Sequence, residues 1–235
     1  MIKNIFVFCF FINFVANAQS KEEILKHHFH KMGNPERWLS VNSIKVEGFR
    51  ITNESDTITQ LKYAKKPNLS KIEIKNNIKK PVLILVCADS LGVWQKVNNN
   101  DVERISKYGI DFIQVDMTIF IASELKNKDN IQLKPNETVN SQEYYVLDIK
   151  NSTAIRRLLY INTKTYMIDA YRSIDYESGS GILDAPTTFL SDYRDVKGFL
   201  FPFQAELREY ETKTITTNIQ INIPLDNKIF SPEGK

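Results

Sequence analysis

Residue types that carry covalent and catalytic chemistry are scarce in this chain. Its 235 residues include two cysteines, three histidines and eight glycines. Cys9 lies in an apolar N-terminal stretch that we expect to be removed, which would leave Cys87 alone and exclude an internal disulfide. Because Cys87 follows the apolar run 82–86, we expect a buried, inert thiol.

A large excess of one charge is absent too. The sequence has 31 basic and 28 acidic residues, a net charge of +3, and no run of five like charges. This balance argues against nucleic acid or an anionic membrane surface as a partner. A glycine-rich phosphate loop and the G-x-S-x-G signature are also missing, which argues against nucleotide chemistry and against α/β-hydrolase chemistry.

The N-terminus has the pattern of a secretory signal peptide. Lys3 precedes the apolar run 5–15, and a small-x-small cleavage site follows that run. The run of about eleven residues is too short to span a bilayer, which takes about 20 residues in a helix. We predict that residues 1–18 are a signal peptide and that cleavage after Ala18 delivers the rest to the periplasm.

The mature chain, residues 19–235, is expected to form a single domain. No later apolar run is long enough to cross a bilayer, and no repeat or composition break marks a second domain. Gln19 stands where a lipid-modified protein would have a cysteine, so we expect no lipid anchor on the mature chain.

One helix is predicted at the start of the mature chain. Ser20 and Glu23 have the spacing of a capping box, and Gly33 occupies the position expected for a C-cap. The apolar face of this helix consists of Ile24, Leu25, Phe29 and Met32.

All three histidines lie on the predicted helix, at positions 27, 28 and 30. His27 and His30 are three residues apart and could share a metal ion on one helical face. The alternative is a solvated polar face. We favour this alternative because the helix supplies no complete tetrahedral set of ligands, and we assign no metal site, cofactor or catalytic residue.

Short β-forming runs separated by turn-rich segments fill most of the remaining chain and predict an antiparallel meander. Eleven strands are expected, at residues 43–52, 57–65, 69–75, 82–88, 92–97, 144–150, 155–161, 166–173, 187–194, 199–210 and 213–223. Residues 98–101 are suited to cap a short helix over 102–108. In segment 110–125 apolar and polar residues alternate, which is the period of a strand.

Large apolar residues are more numerous than one solvent-facing sheet would explain. The most prominent are Phe49, Tyr63, Trp94, Phe112 and Phe120. They fit either an ordinary core beneath covering helices or an apolar concavity that binds a lipid or another small molecule. Composition leaves both interpretations open.

Four segments together carry the pattern of a known family. Residues 192–202 read D-Y-x-x-x-x-G-x-x-F-P, and residues 44–48, 63–68 and 88–94 match a first strand, a strand-turn signature and a hairpin. This pattern resembles the periplasmic outer-membrane lipoprotein carrier (LolA-like) superfamily, particularly its small exported members of unassigned role. Within the motif, we expect Gly198 in a tight hairpin with positive φ and Pro202 where a strand needs no backbone donor.

The resemblance implies a mainly antiparallel β fold with α-helices. The expected shape is a strongly curved, unclosed half-barrel of about eleven strands, with helices over its concave side and an apolar cavity between them. Segment 110–125 would then belong to the cover, against its strand-like period. We favour the cover because an apolar strand there would form an edge in need of a partner.

A hydrophobic ligand site at the cavity and lid is also implied by the resemblance. Its residues would be Phe49, Tyr63, Trp94, Phe112, Ile113, Val115, Met117, Ile119 and Phe120. Lys71 would be a polar contact in the cavity, at a position where the family often has arginine. Because lysine cannot reproduce the planar fork of arginine donors, a true lipoprotein-shuttle role is not expected.

Two functions follow from these expectations. The first is a non-enzymatic periplasmic carrier or binding protein for a lipid, acylated (lipoprotein-like) or other hydrophobic ligand held in the half-barrel. The second is an envelope scaffold or protein-interaction domain whose cavity is filled by its own Phe112, Met117 and Phe120. The expected partners are the hydrophobic ligand and envelope proteins or lipoproteins.

Overall fold

The computed structural model describes residues 19–52, 57–67, 69–76, 82–88, 92–105, 128–150, 155–175, 183–184 and 186–231. Within these residues the chain forms two α-helices, α1 (Lys21–Met32) and α2 (Pro35–Leu39). It also forms fourteen strands: β1 (Ser43–Ile51), β2 (Thr57–Lys65), β3 (Leu69–Asn76), β4 (Val82–Ala88), β5 (Val93–Val97), β6 (Glu103–Ile105), β7 (Ile131–Val139), β8 (Gln142–Lys150), β9 (Ile155–Asn162), β10 (Ile168–Asp175), β11 (Leu183–Asp184), β12 (Thr188–Val196), β13 (Phe199–Leu207) and β14 (Thr212–Ile221).

Local sequence signals set both ends of α1. The Ser20 side chain accepts a hydrogen bond from the Glu23 amide, and the Glu23 carboxylate accepts one from the Ser20 amide, which completes the predicted capping box. Gly33 ends the helix with φ at 108°, a conformation open mainly to glycine. The five-residue helix α2 was not predicted; the Asn34 side chain accepts from the Glu36 amide at its start.

All fourteen strands belong to one antiparallel sheet. Along the sheet the order is β6-β5-β4-β3-β2-β1-β14-β13-β12-β10-β9-β8-β7, with β11 paired to β10 off this path. Most neighbours follow one another in sequence, as in the predicted meander. The exceptions are β10 with β12, and the antiparallel pair β1 and β14, which joins the first and last of the described strands in the middle of the sheet. The sheet is unclosed, with β6 and β7 at its two ends.

Both helices pack on one side of the sheet, called the helix side below. Met32 and Trp38 bury the centre of this side together with Ile44, Ala64, Ile72, Val93, Phe199, Phe201, Phe203, Ile219 and Ile221. The predicted apolar face of α1 covers the β7 to β10 part, where Ile24, Leu25 and Phe29 pack with Ile131, Leu147, Ile149, Leu159, Ile161 and Ile168.

The opposite side of β8, β9 and β10 is also apolar. Since side chains alternate along a strand, the residues between those of the helix side form a separate buried cluster there. Its members are Tyr144, Val146, Leu158, Tyr160 and Ala170, with the half-buried Val139 and Phe189 beside them. The central parts of these strands are therefore buried on both sides, which explains the apolar runs 144–147 in β8 and 158–161 in β9.

Eleven observed strands correspond to the eleven predicted ones, with small differences at their ends. The helix predicted over 102–108 is wrong at β6, because Glu103, Arg104 and Ile105 pair with β5. Strands β7 and β11 were not predicted. Segment 110–125 lies outside the described residues, as do residues 1–18. In the described part of the chain no helix has the length and apolarity needed to cross a membrane.

Candidate ligand-binding face

The 192–202 motif forms the hairpin that holds α2 against the sheet. Gly198 has φ at 81°, as predicted, and its amide donates to the Asp195 carboxylate. The Arg37 guanidinium of α2 donates to the carbonyl oxygens of Lys197 and Gly198 and lies 4.8 Å from the Phe199 ring centre. These contacts give the motif a structural role, the attachment of a helix.

Tyr193 and Pro202 complete the motif. The Tyr193 hydroxyl donates to the Ile168 carbonyl and so ties β12 to β10. Burial raises the pKa of Tyr193, so the phenol stays neutral. Pro202 lies opposite Tyr193 in a part of β13 that precedes the residues paired with β14. The missing proline N–H is therefore not needed by a neighbour on that side, in agreement with the prediction.

An aromatic cluster under α2 forms the packed centre of the helix side. Trp38 is 3% exposed, and its indole N–H donates to the Met32 carbonyl at 3.0 Å. Its ring lies edge-on to Phe199 and Phe201, with centroid distances of 4.9 and 5.1 Å. This geometry satisfies the only polar group of the indole and fixes α2 over β13.

Farther along β1 to β5, the helix side is less completely buried and carries both aliphatic and polar side chains. The pairing of β1 to β4 places Val46, Lys62, Ile72 and Val86 in one row across the strands, and Gln60, Ile74 and Ile84 in the next. Of the five aliphatic side chains Ile72 is buried, whereas Val46, Ile74, Ile84 and Val86 are only half-buried. This row of half-buried aliphatic side chains beside a packed centre is the candidate ligand-binding face.

Four of the residues predicted for the cavity lie on the other side of the sheet. Strand pairing places Tyr63, Lys71 and Trp94 in one row, offset by one residue from the Ala64, Ser70 and Val93 row of the helix side. Phe49 has the same parity on β1 as Lys45, the partner of Tyr63. None of the four therefore lines the helix side.

The contacts of these side chains are those of a sheet surface. The Lys71 ammonium pairs with the Glu73 carboxylate at 2.8 Å, and the Arg104 guanidinium lies 5.5 Å from the Trp94 ring centre. The other six predicted residues, Phe112, Ile113, Val115, Met117, Ile119 and Phe120, lie outside the described residues. Their role in a lid stays a prediction.

The histidine face is not uniformly solvated. His28 is 2% exposed, and its Nδ1–H donates to the Tyr166 carbonyl at 2.8 Å. Burial lowers the pKa of His28 to about 4, so the ring is neutral at physiological pH. His27 stacks on the Tyr166 ring at 4.6 Å, and His30 is exposed. Within the described ranges, no group of three potential metal ligands occurs.

Two polar residues of the helix side escaped the sequence analysis. Gln60 on β2 is buried, and Arg50 on β1 is half-buried. The alternation of side chains along a strand could have identified Arg50. It lies an even number of residues after Ile44 and Val46 on the same strand, so it faces the same side of the sheet.

Comparison with known proteins identifies the fold. No protein-family model and no curated protein sequence matches the chain. Among solved structures, a LolA superfamily protein from Nitrosomonas europaea is similar at 14% identity and a TM-score of 0.55, over 92% of this chain and 99% of that one. The chain has a LolA-like fold. An outer membrane lipoprotein-sorting protein domain from Vibrio parahaemolyticus is similar at 14% identity and a TM-score of 0.54, over 91% of this chain and 98% of that one.

The predicted fold class is therefore confirmed. The LolA-like fold is a curved antiparallel half-barrel with few helices, and the unclosed sheet described above has that form. At 14% identity the likeness concerns the fold, and the function has to be argued from the helix side of this chain.

Proposed function

We propose that the chain is an exported, non-enzymatic binding or carrier protein that holds a lipid, acylated or other hydrophobic ligand against the helix side of its LolA-like sheet. The observation that carries this proposal is the row of half-buried aliphatic side chains on β1 to β4, including Val46, Ile74 and Val86. Elsewhere on the same side, the aliphatic residues under α1 are fully buried. Apolar surface left half-open beside a packed core is typical of a ligand-binding concavity.

The energetics favour an acyl chain as the ligand. Removing apolar surface from water contributes about 0.8 kcal/mol per buried CH₂ group, so a ten-carbon stretch contributes roughly 8 kcal/mol before ordering costs are subtracted. Those costs are several kcal/mol for a flexible chain. The remaining free energy corresponds to useful but reversible binding, as a carrier requires.

The ionisable groups described above support a binding role. His28 is buried and Tyr193 is half-buried; both are neutral and hydrogen-bonded to backbone carbonyls, and Asp148 is buried against Arg156 and Lys134. Each of these groups has a structural partner. In this proposal the protein supplies shape and apolar surface, and no bond of the ligand is made or broken.

Export belongs to the same proposal. The predicted signal peptide, residues 1–18, would place the mature chain in the periplasm, where lipids and acylated proteins need a carrier to cross an aqueous space. Envelope proteins or lipoproteins would then be the donors and acceptors of the ligand.

Displacement of an apolar fluorescent dye by palmitate, combined with native mass spectrometry of protein purified from its own periplasm, tests the proposal. The critical variant is Val86→Asn on the helix side of β4. The matched control is Leu83→Asn, since Leu83 is a half-buried aliphatic residue of the same strand on the opposite side. We expect Val86→Asn to weaken dye and palmitate binding about tenfold, and Leu83→Asn to leave it within twofold.

A clean ligand-free mass together with no dye binding would refute the proposal. That result would favour an envelope scaffold whose cavity is filled by its own residues, the alternative considered from the sequence.

A further inference from the structure

Two neighbouring polar side chains of the helix side, Gln60 and Arg50, each have a buried atom without a hydrogen-bond partner in the described part of the chain. Gln60 is 4% exposed, and its Oε1 has no partner in the described part of the chain. The Nε of Arg50 is likewise buried and unpartnered among the described residues. A buried donor or acceptor without a partner is costly, and most such groups in folded proteins are satisfied.

Strand register brings the two side chains together. Gln60 lies opposite Gly48 of β1, and Arg50 is two residues farther along the same strand, opposite Ile58. Both therefore project from the helix side, on adjacent strands and in adjacent rows. On the neighbouring strand β14, the partners of Gly48 and Arg50 are Thr216 and Thr214, which adds two half-buried hydroxyl groups.

Among the described residues, the acidic side chains nearest to Arg50 do not neutralise its charge. Glu47 on β1 differs from Arg50 by an odd number of positions, so it projects from the opposite side, where it pairs with Lys45. Glu206 on β13 also projects from that side and lies near Lys213 and Arg208. No ion pair joins Arg50 to a carboxylate within the described ranges.

Apolar side chains of β3 and β4 lie in line with this polar pair. Gln60 lies opposite Ile74 of β3, and Ile74 lies opposite Ile84 of β4 in the half-buried row of the candidate face. A chain lying on that row would end with its polar head beside Gln60 and Arg50.

We propose that Arg50 and Gln60 form a head-group site that binds the anionic end of an acyl-chain ligand. This inference rests on the proposed function and names its ligand class, an amphiphile with a carboxylate or a phosphate. The anion would accept hydrogen bonds from the Arg50 guanidinium, whose donors are arranged for such groups. Gln60 Oε1 would accept a hydrogen bond from a hydroxyl or amide N–H next to the anion.

The test compares matched charged and neutral probes in the dye-displacement assay. Palmitate is paired with hexadecanol, and palmitoyl lysophosphatidic acid is paired with monopalmitoylglycerol. We expect each charged probe that fits the site to bind the wild type at least about tenfold more tightly than its neutral partner, the effect of one charge-assisted contact. The two pairs distinguish a carboxylate source from a phosphate source.

Arg50→Gln is the critical variant and Arg208→Gln, a surface arginine on the opposite side, is its control. Arg50→Gln should reduce the charged-to-neutral preference to within about twofold, leave the affinity for the neutral probes unchanged, and keep or raise the unfolding midpoint of the ligand-free protein. The last result is expected because the substitution removes a half-buried guanidinium group whose buried Nε has no partner among the described residues. Arg208→Gln should retain the wild-type preference.

Neutral probes that bind the wild type as tightly as charged ones would overturn the head-group site and leave the proposed function standing. Equal loss of charged and neutral binding in Arg50→Gln would also overturn it, since the residue would then act only through the fold. Failure of every probe to bind the wild type would overturn both proposals.

Discussion

Replacing His28 with phenylalanine should remove a pH-dependent part of the stability of this protein. The imidazole is buried between α1 and the segment that precedes β10, where its Nδ1–H donates to the Tyr166 carbonyl. Burial disfavours the imidazolium and lowers the pKa of His28 from 6.5 to about 4, although the hydrogen bond opposes part of that effect. Phenylalanine fills a similar volume and does not titrate.

Proton linkage determines whether the stability rises or falls with pH. Between pH 6.5 and about 4 the unfolded chain binds a proton at position 28 that the folded chain does not bind. Stability that depends on neutral His28 is therefore fully present above pH 6.5 and is lost as the pH falls toward 4. The difference between the two pKa values corresponds to a loss of about 3 kcal/mol in the free energy of unfolding.

Urea denaturation of the mature chain at a series of pH values from 4 to 7.5 measures this loss. The comparison between His28→Phe and the wild type cancels the titration of the carboxylates, which both proteins share. The free energy of unfolding of His28→Phe minus that of the wild type should be about 3 kcal/mol more positive near pH 4 than at pH 7.5. For His30→Phe, at an exposed position of the same helix, this difference should not change in that way. A stability difference between His28→Phe and the wild type that stays constant across the series would refute the reasoning.

Two further predictions concern the attachment of α2. Trp38→Ala should lower the free energy of unfolding by about 3 to 5 kcal/mol, because it empties the site beside Phe199 and Phe201; chemical denaturation measures this, and a loss under 1 kcal/mol would contradict the packing. Gly33→Ala should cost more than Gly198→Ala, which itself should cost about 1 to 2 kcal/mol for its positive φ. An added Cβ at Gly33 would lie 2.3 Å from the Gly198 carbonyl oxygen, whereas at Gly198 it would meet the movable Arg37 side chain. Equal unfolding midpoints for the two variants would count against this order.

Local chemistry explains which elements could be predicted. The Ser20 and Glu23 pair and Gly33 define the ends of α1 within a few residues of sequence, so that helix was recognised. Strand β7 was missed because its exposed residues include Pro135 and several polar side chains, which hide the alternation of a strand. At β6 a polar segment suited to cap a helix is instead a turn, and pairing with β5 decides the conformation.

The candidate site was harder to predict than the fold because a strand pattern does not say which of its two sides meets the helices. Aromatic residues such as Tyr63 and Trp94 were assigned to the cavity for their size, yet their parity places them on the opposite side. The fully buried partners of the helices are smaller residues, among them Ala64 and Val93. Alternation counted from Ile44, and not side-chain size, shows which residues of these strands face the helices.

The pairing of β1 with β14 also has a consequence for how the molecule is made. Among the described strands, the part of the sheet formed by β1 to β6 is joined to the part formed by β7 to β13 through β14. The central seam of the sheet cannot form until almost the entire polypeptide is available, and such distant pairings form slowly. A chain that completes its fold late stays extended for longer. If the predicted export occurs, this delay favours passage through a translocation channel before the half-barrel assembles on the far side.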